Sequence, residues 1–386
     1  MKKTCLFGGP LFDGKNIHDE GIILFDKSGI ISINNPLAIH LADELHDVDG
    51  KYIMPSLVDL HSDALEKCIE MRPGVFFDQR FAIQNLDRRL AACGITSFCH
   101  AISFGEGEMG LRSQKEADRL LRLVKAFSDS GKACVRHYVH ARYEIGTING
   151  TDYVEGLLDS GLLDLVSIMD HTPGQGQFRD LESFGNYYGK TYALTEHELV
   201  TMVDRKQKRQ AEGWESIRNL IEKVVDQGVP VMSHDDDTNA KVELLNALGV
   251  TASEFPVTME AALSARGKGM KVFMGAPNMI RGLSSNGHLT ASETVKNRLC
   301  NGFISDYYPE SLVQAPFVAG KQVGINLAEA FGLATSGPGE YLKSSGSAGR
   351  LDEGTPADII IVSPSNDWAS VEQTWVSGGC VYRAHC

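Results

Sequence analysis

Between residues 52 and 309 the chain repeats one unit: a short strand-like run that ends in polar residues and is mostly followed by a helical pattern. The runs cover 52–63, 94–103, 133–144, 162–171, 229–237, 252–257, 271–278 and 303–309, eight in all. Helical patterns stand between them at 113–131 and 214–228, the latter with Ile217, Leu220, Ile221, Val224 and Val225 on one stripe. Eight such units predict an α/β fold, a (β/α)8 TIM-type barrel over residues 54–345. The two chain ends read differently. Residues 1–53 are short apolar runs punctuated by Gly14, Gly21, Gly29 and Asn34-Asn35-Pro36, and 346–386 hold two further strand patterns. Together they predict a small β-sandwich domain formed by both ends, since the termini of one chain often lie close together.

Charge and cysteine content narrow the class. The 37 Lys and Arg against 50 Asp and Glu leave a formal charge of -13, which disfavours a sequence-independent nucleic-acid binder. Cys5, Cys68, Cys93, Cys99, Cys134, Cys300, Cys380 and Cys386 form no C-x-x-C pair and are too sparse for a disulfide framework, so reduced thiols are expected. Gly8, Gly9, Pro10 and Asp13 break the apolar start before any signal-peptide core forms, and no run approaches the roughly 20 apolar residues of a membrane span. Cytoplasm is the expected location.

Chemistry-bearing residues gather at the strand ends, where a barrel of this kind places catalysis. His61 and Asp63 stand two apart and leave a strand on one face. His140, Arg142 and Glu144 share a face of the third run, His171 ends the fourth, His234 the fifth and Asp306 the eighth. A histidine at one strand end is usually a hydrogen-bonded structural residue. Imidazoles and carboxylates converging from five strands, without thiolate, are instead a ligand set suited to zinc, manganese or a similar divalent ion. His140 is expected to orient a ligand or touch substrate. His18, His40, His46, His100, His137, His197, His288 and His385 are expected to be structural or superficial.

Arg72, Arg142, Arg179, Lys190 and Arg281 also fall at or beyond those strand ends. In an acidic protein, that grouping points to an anionic, phosphorylated small-molecule substrate, because Arg pairs bidentately with phosphate oxygens. No G-x-x-x-x-G-K-[ST] and no strand-borne G-x-G-x-x-G occurs, so neither a P-loop nor a dinucleotide fold is supported. The connection after His171 is abnormally long, rich in tyrosine including Tyr187-Tyr188, and is expected to be a lid or binding loop.

These segments resemble a known family. MPSLVDLHSD resembles the first metal-ligand strand of the amidohydrolase superfamily, and GRLDEGTPADIIIV its return into the small β domain. DLHSDALEKCIEMRPGV, RHYVHARYE, SIMDHTPGQGQF, SHDDDTNA, EFPVTMEAA, MGAPNMIRG and SDYYPESL are similar to the alpha-D-ribose 1-methylphosphonate 5-triphosphate diphosphatase family of the carbon-phosphorus lyase pathway. The resemblance implies a barrel of the metal-dependent amidohydrolase kind that removes pyrophosphate from a ribosyl 5-triphosphate carrying 1-methylphosphonate. It implies His61, Asp63, His171, His234 and Asp306 as metal ligands, Glu144 as a bridging carboxylate and Asp306 also as general base. One or two ions, zinc foremost, fit this set. Ser56, Asp63 and Ala64 stand where the superfamily commonly carries Gly, His and Asn; Asp63 is normal for the family, and Ala64 bears on the choice of substrate.

Two other readings stand beside this one. The same site could hydrolyse a C-N bond as a deaminase or cyclic-amide hydrolase, which the basic cluster argues against. A catalytically dead barrel kept as a scaffold is opposed by ligand-competent residues at all six expected positions. Oligomeric state, a homo-oligomer included, stays open.

Overall fold

The computed structural model describes residues 1–104, 113–145, 147, 150–172, 176, 195–284, 287–342, 347–365 and 368–384. Its centre is a parallel sheet of eight strands in chain order: Leu57–Ser62, Ile95–Phe104, Arg136–Glu144, Leu165–Met169, Val231–His234, Ala252–Glu254, Lys271–Gly275 and Gly302–Ile304. All eight expected runs thus contribute a barrel strand. The first run divides, however. Tyr52–Pro55 pairs with Ile359–Ser363 in the other sheet, and only Leu57–Ser62 enters the barrel. Ser56 lies between the two strands, fully buried, with its hydroxyl 2.5 Å from that of Thr96.

The barrel closes through polar groups. The last strand spans only Gly302–Ile304, too short for a full ladder with the first. A parallel bridge joins Ser62 to Asp306 instead, with Asp306 N donating to the His61 carbonyl (3.0 Å) and Asp63 N to the Asp306 carbonyl (2.7 Å). Ser305 N adds a bond to the buried Asp59 carboxylate at 3.0 Å. The seam is therefore built from residues expected to carry the chemistry.

Beneath it the barrel is filled. Val58, Leu60, Cys99, Tyr138, Leu165, Met232, Ala252, Phe273 and Ile304 pack into one apolar cluster that Tyr341 and Leu342 extend. Side chains two apart on a strand share a face, so the next inward positions sit one layer higher. There the chemistry switches: Tyr138 is followed by His140, Leu165 by Ser167, Met232 by His234 and Ala252 by Glu254. Helices cover the outside. Gln114–Ser128 matches its expected range, whereas the helix expected at 214–228 is the end of a 31-residue helix, Glu196–Asp226. Thr195 and Glu198 start it with a capping box, a local signal that outweighs its polar composition.

The two chain ends build one mixed sheet of eight strands. Thr4–Phe12 carries Glu44–Asp47 beside its first half and Tyr52–Pro55 beside its second, so two strands share one edge and the sheet turns over a common core. The turn falls at Gly8 (φ 87°), where a Cβ would lie 2.1 Å from Asp47 Oδ1. Leu6, Leu11, Phe25, Ile53, Ile359 and Trp375 fill the fold so formed. Tyr52–Pro55 runs across the expected boundary between residues 53 and 54. The seven described cysteines are all free, and none of the described helices is long and apolar enough to cross a membrane.

Candidate active site

The site begins with Glu254, at the end of the sixth barrel strand. It is fully buried, and its two oxygens face two histidines: Oε2 lies 2.8 Å from His61 Nδ1 and Oε1 lies 3.1 Å from His234 Nδ1. Ser167 Oγ approaches Oε1 at 2.6 Å. Burial alone would push this carboxyl up; His61 and His234 override it and hold Glu254 well below the usual carboxylate range. An ionised Glu254 accepts an N–H from each ring, which fixes both histidines as Nδ1–H tautomers and turns both Nε2 lone pairs away from it.

Those lone pairs face the centre of the barrel mouth. His61 Nε2 is buried with no hydrogen-bond partner, and burial pushes the ring down to about 4, so it stays neutral. His234 Nε2 lies 3.1 Å from Arg142 Nη2 and 3.5 Å from Asp235 Oδ2. His171 is set from the opposite side: Glu144 accepts from its backbone N at 3.0 Å and meets its Nδ1 at 2.7 Å. Its Nε2 is 3.7 Å from Asp235 Oδ2. Burial lowers the His171 pKa, but the Glu144 and Asp235 carboxylates outweigh it and push the ring up to about 9.

The carboxylates form the other half. Burial first, then the nearby Asp63 charge, push Asp306 up to about 7, with Asp235 and Glu254 adding to the rise and Arg142 opposing it. Asp235 and Asp306 both adopt left-handed backbone angles (φ 54° and 58°), which strand residues avoid and which Asp tolerates better than most. Repelling carboxylates gathered round the neutral, unpartnered His61 Nε2, with the His171 and His234 rings beside them, are what a divalent cation satisfies, so the residues fit a metal.

The structure thus gathers His61, Asp63, Glu144, His171, His234 and Asp306 at the C-terminal end of the barrel. His140 lies in its floor, fully buried, with Nδ1 2.8 Å from the Leu60 carbonyl and Nε2 2.5 Å from Ser167 Oγ. Arg142 is buried beside His234, whereas Arg72 and Arg281 are exposed in the segments that follow the first and seventh strands. Arg179, Lys190 and Tyr187-Tyr188 lie outside the described residues. Within that connection Gly176 N bonds Asp237 Oδ2 at 2.9 Å, bringing it onto the end of the fifth strand. Glu254, Asp235 and Ser167 escaped the sequence reading. The carboxylate in ASEFPV sits at a strand end like the others, and HDDD carries three acids in a row, so both signals were present.

No family model matches the chain. Among curated proteins, the alpha-D-ribose 1-methylphosphonate 5-triphosphate diphosphatase of Escherichia coli (strain K12) is 32% identical over 346 residues, 88% of this chain and 90% of that one. The chain belongs to the alpha-D-ribose 1-methylphosphonate 5-triphosphate diphosphatase family. Membership makes it a hydrolase. Solved structures agree on the fold of this diphosphatase family member. An amidohydrolase superposes with a TM-score of 0.66 at 16% identity, covering 100% of both chains. The N-acetyl-D-glucosamine-6-phosphate deacetylase of Mycobacterium smegmatis does so at 0.66 and 12%, covering 99% of this chain and 100% of the other. At such identities the likeness speaks for the fold alone, the amidohydrolase barrel with its added β domain.

Proposed function

We propose that this protein removes pyrophosphate from alpha-D-ribose 1-methylphosphonate 5-triphosphate, leaving the 5-phosphate, in the course of phosphonate breakdown. The observation that carries the reading is the convergence of the His61, His171 and His234 rings, clustered carboxylates and the buried Arg142 at one barrel mouth, in a chain 32% identical to a diphosphatase of that name. His61, Asp63, His171, His234 and Asp306 would hold one or two divalent ions, zinc foremost, with Glu144 beside His171. Such an ion supplies Lewis acidity to phosphoryl oxygens and to the attacking water. The remaining work belongs to the chain. Asp306 accepts a proton from water, a role suited to a carboxylate that the left-handed turn after the eighth strand holds among the other candidate ligands. Arg142 takes up charge on the phosphoryl oxygens at the reacting centre, and Arg72, Arg179, Lys190 and Arg281 hold the outer phosphates from the rim. His140 braces the floor through Ser167. The expected setting is the cytoplasm, with a phosphorylated sugar phosphonate as the small-molecule partner and no nucleic acid.

Phosphorus NMR of the metal-replete protein with that triphosphate tests the reading, run beside Asp306→Asn. Pyrophosphate is expected from the wild type, with turnover cut by about 100-fold or more in the variant. Orthophosphate would place attack at the γ-phosphorus, and no phosphorus product would move the reaction to C-N hydrolysis.

A further inference from the structure

We propose that Lys241 is a substrate-binding residue whose ammonium receives the pyrophosphate portion of the triphosphate, beside Asp235 at the barrel mouth. The inference rests on the diphosphatase reading above and deepens it by naming the cation that meets the leaving group.

The fifth barrel strand places this lysine. Only residues 235–238 separate His234, at the end of that strand, from the helix Asn239–Ala247, so the helix starts at the C-terminal end of the barrel. Thr238 caps it, its hydroxyl accepting from Lys241 N at 3.3 Å, which puts Lys241 in the first turn. Cα–Cβ bonds lean toward the N-terminus of a helix, so a side chain in this turn is directed back toward the mouth rather than down the barrel wall.

A surface lysine ordinarily lays its stem on apolar groups and keeps its ammonium in water. Lys241 does the reverse: the residue is partly exposed, yet Nζ is buried and has no hydrogen-bond partner among the described residues. Neighbouring acids are committed elsewhere. Glu243, on the same helix, pairs with Lys268 at 3.1 Å, while Glu260 accepts from Asn239 N at 3.0 Å and Asp237 from Gly176 N at 2.9 Å. The Lys241 charge nevertheless reaches the site. Burial raises the Asp235 pKa, but His234 and His171, with Lys241 adding a smaller share, hold that carboxylate below its usual range. A buried ammonium is costly unless an anion meets it, and a compact point charge suits phosphate oxygens. The anion that the reaction brings to this place is the polyphosphate of the substrate. Asp235 Oδ2 lies 3.5 Å from His234 Nε2 and 3.7 Å from His171 Nε2, so a phosphate on Nζ sits next to the reacting centre, inside the exposed rim that carries Arg281.

Inhibition by inorganic pyrophosphate tests the assignment in metal-replete wild type, Lys241→Met and Lys241→Gln, with metal per chain checked by elemental analysis. Met keeps the stem and removes the charge; Gln keeps a polar tip, so one of the two is available should the other fold poorly. The inhibition constant for pyrophosphate is expected to rise by about 10- to 100-fold in both, and kcat/KM for the triphosphate to fall by a similar factor. Thermal unfolding without ligand is expected to stay at or above the wild-type temperature, because an unpaired buried charge has been removed. A purely structural lysine gives the converse: lower stability with pyrophosphate inhibition intact. Unchanged inhibition in either folded variant would overturn the assignment. Wild type that releases no pyrophosphate from the triphosphate overturns the diphosphatase reading itself, and the inference with it.

Discussion

Two buried histidine–carboxylate networks occupy the barrel, one inside its mouth and one outside its wall, and they differ in how their groups are arranged. Outside, His100 Nε2 meets His137 Nδ1 at 2.8 Å, and His137 Nε2 meets Asp87 at 3.0 Å. Asp87 also accepts from the backbone N of Cys134 and Val135. This is a line of bonds that ties the helix Gln79–Ala92 to the strands beneath it. Inside, Glu254 and Glu144 take the Nδ1 side of their histidines, so three Nε2 atoms face one region already crowded with carboxylates, that of His61 without a hydrogen-bond partner and that of His234 accepting from Arg142. Burial and residue type are shared by the two networks. Each network leaves one ring nitrogen unpaired, His100 Nδ1 outside and His61 Nε2 inside, so what separates the site from the scaffold is the convergence of rings and carboxylates on one place.

Breaking Glu254 should cost most. In Glu254→Gln the amide can accept only one Nδ1–H, so the other histidine must turn to its Nε2–H form and lose the lone pair that faces the centre. We expect metal affinity to fall by about 10- to 100-fold and turnover with it, measured by chelator competition and phosphorus release. Wild-type affinity would remove the orienting role from Glu254 and erase the contrast with the outer network.

Asp87→Asn should do the opposite. Leaving buried N–H groups poorly matched is expected to lower stability by about 1–3 kcal/mol while kcat stays at the wild-type value. The acid limb sharpens this. Burial raises the Asp87 pKa, but bonds from His137, Cys134 and Val135 outweigh it and hold the group below its ordinary value. Its contribution is complete above the unfolded value of about 3.9 and lost as pH falls through the folded one. Burial also holds His100 well below the usual imidazole range, so acidification below about 6.5 favours the unfolded chain. Chemical denaturation should therefore show wild type and Asp87→Asn weakening in parallel from pH 7 to 5. Below about pH 4 only the wild type should weaken further on account of Asp87.

Much of this was legible in the sequence, for physical reasons. Strand-borne residues obey a period of two, which assigns His61, Asp63, His140, Arg142, Glu144, His171, His234 and Asp306 to strand ends from the sequence alone. Depth along a strand is not written in that period. His140 and Arg142 share a face, yet one braces the floor and the other meets His234. Partner choice is equally hidden: Glu254 is a lone acid in an apolar run, and its importance comes from histidines 193 and 20 residues away. The division of the first run between two sheets also depends on pairing with Ile359–Ser363, which only the tertiary fold decides.

The smallest effect belongs to the rim. Arg281 ends the short helix Ala276–Arg281, exposed to solvent, while Arg142 is buried against His234. An exposed guanidinium is screened by water and salt, so its grip on an outer phosphate is weak and falls with ionic strength. Arg281→Ala is therefore expected to raise KM by less than about tenfold with kcat unchanged, and to flatten the rise of KM with added salt. An equal loss of kcat would mean that the exposed side chain reaches the reacting phosphoryl group. The rim would then belong with Arg142 to the inner site, and the boundary between positioning and chemistry would lie further out than the barrel mouth.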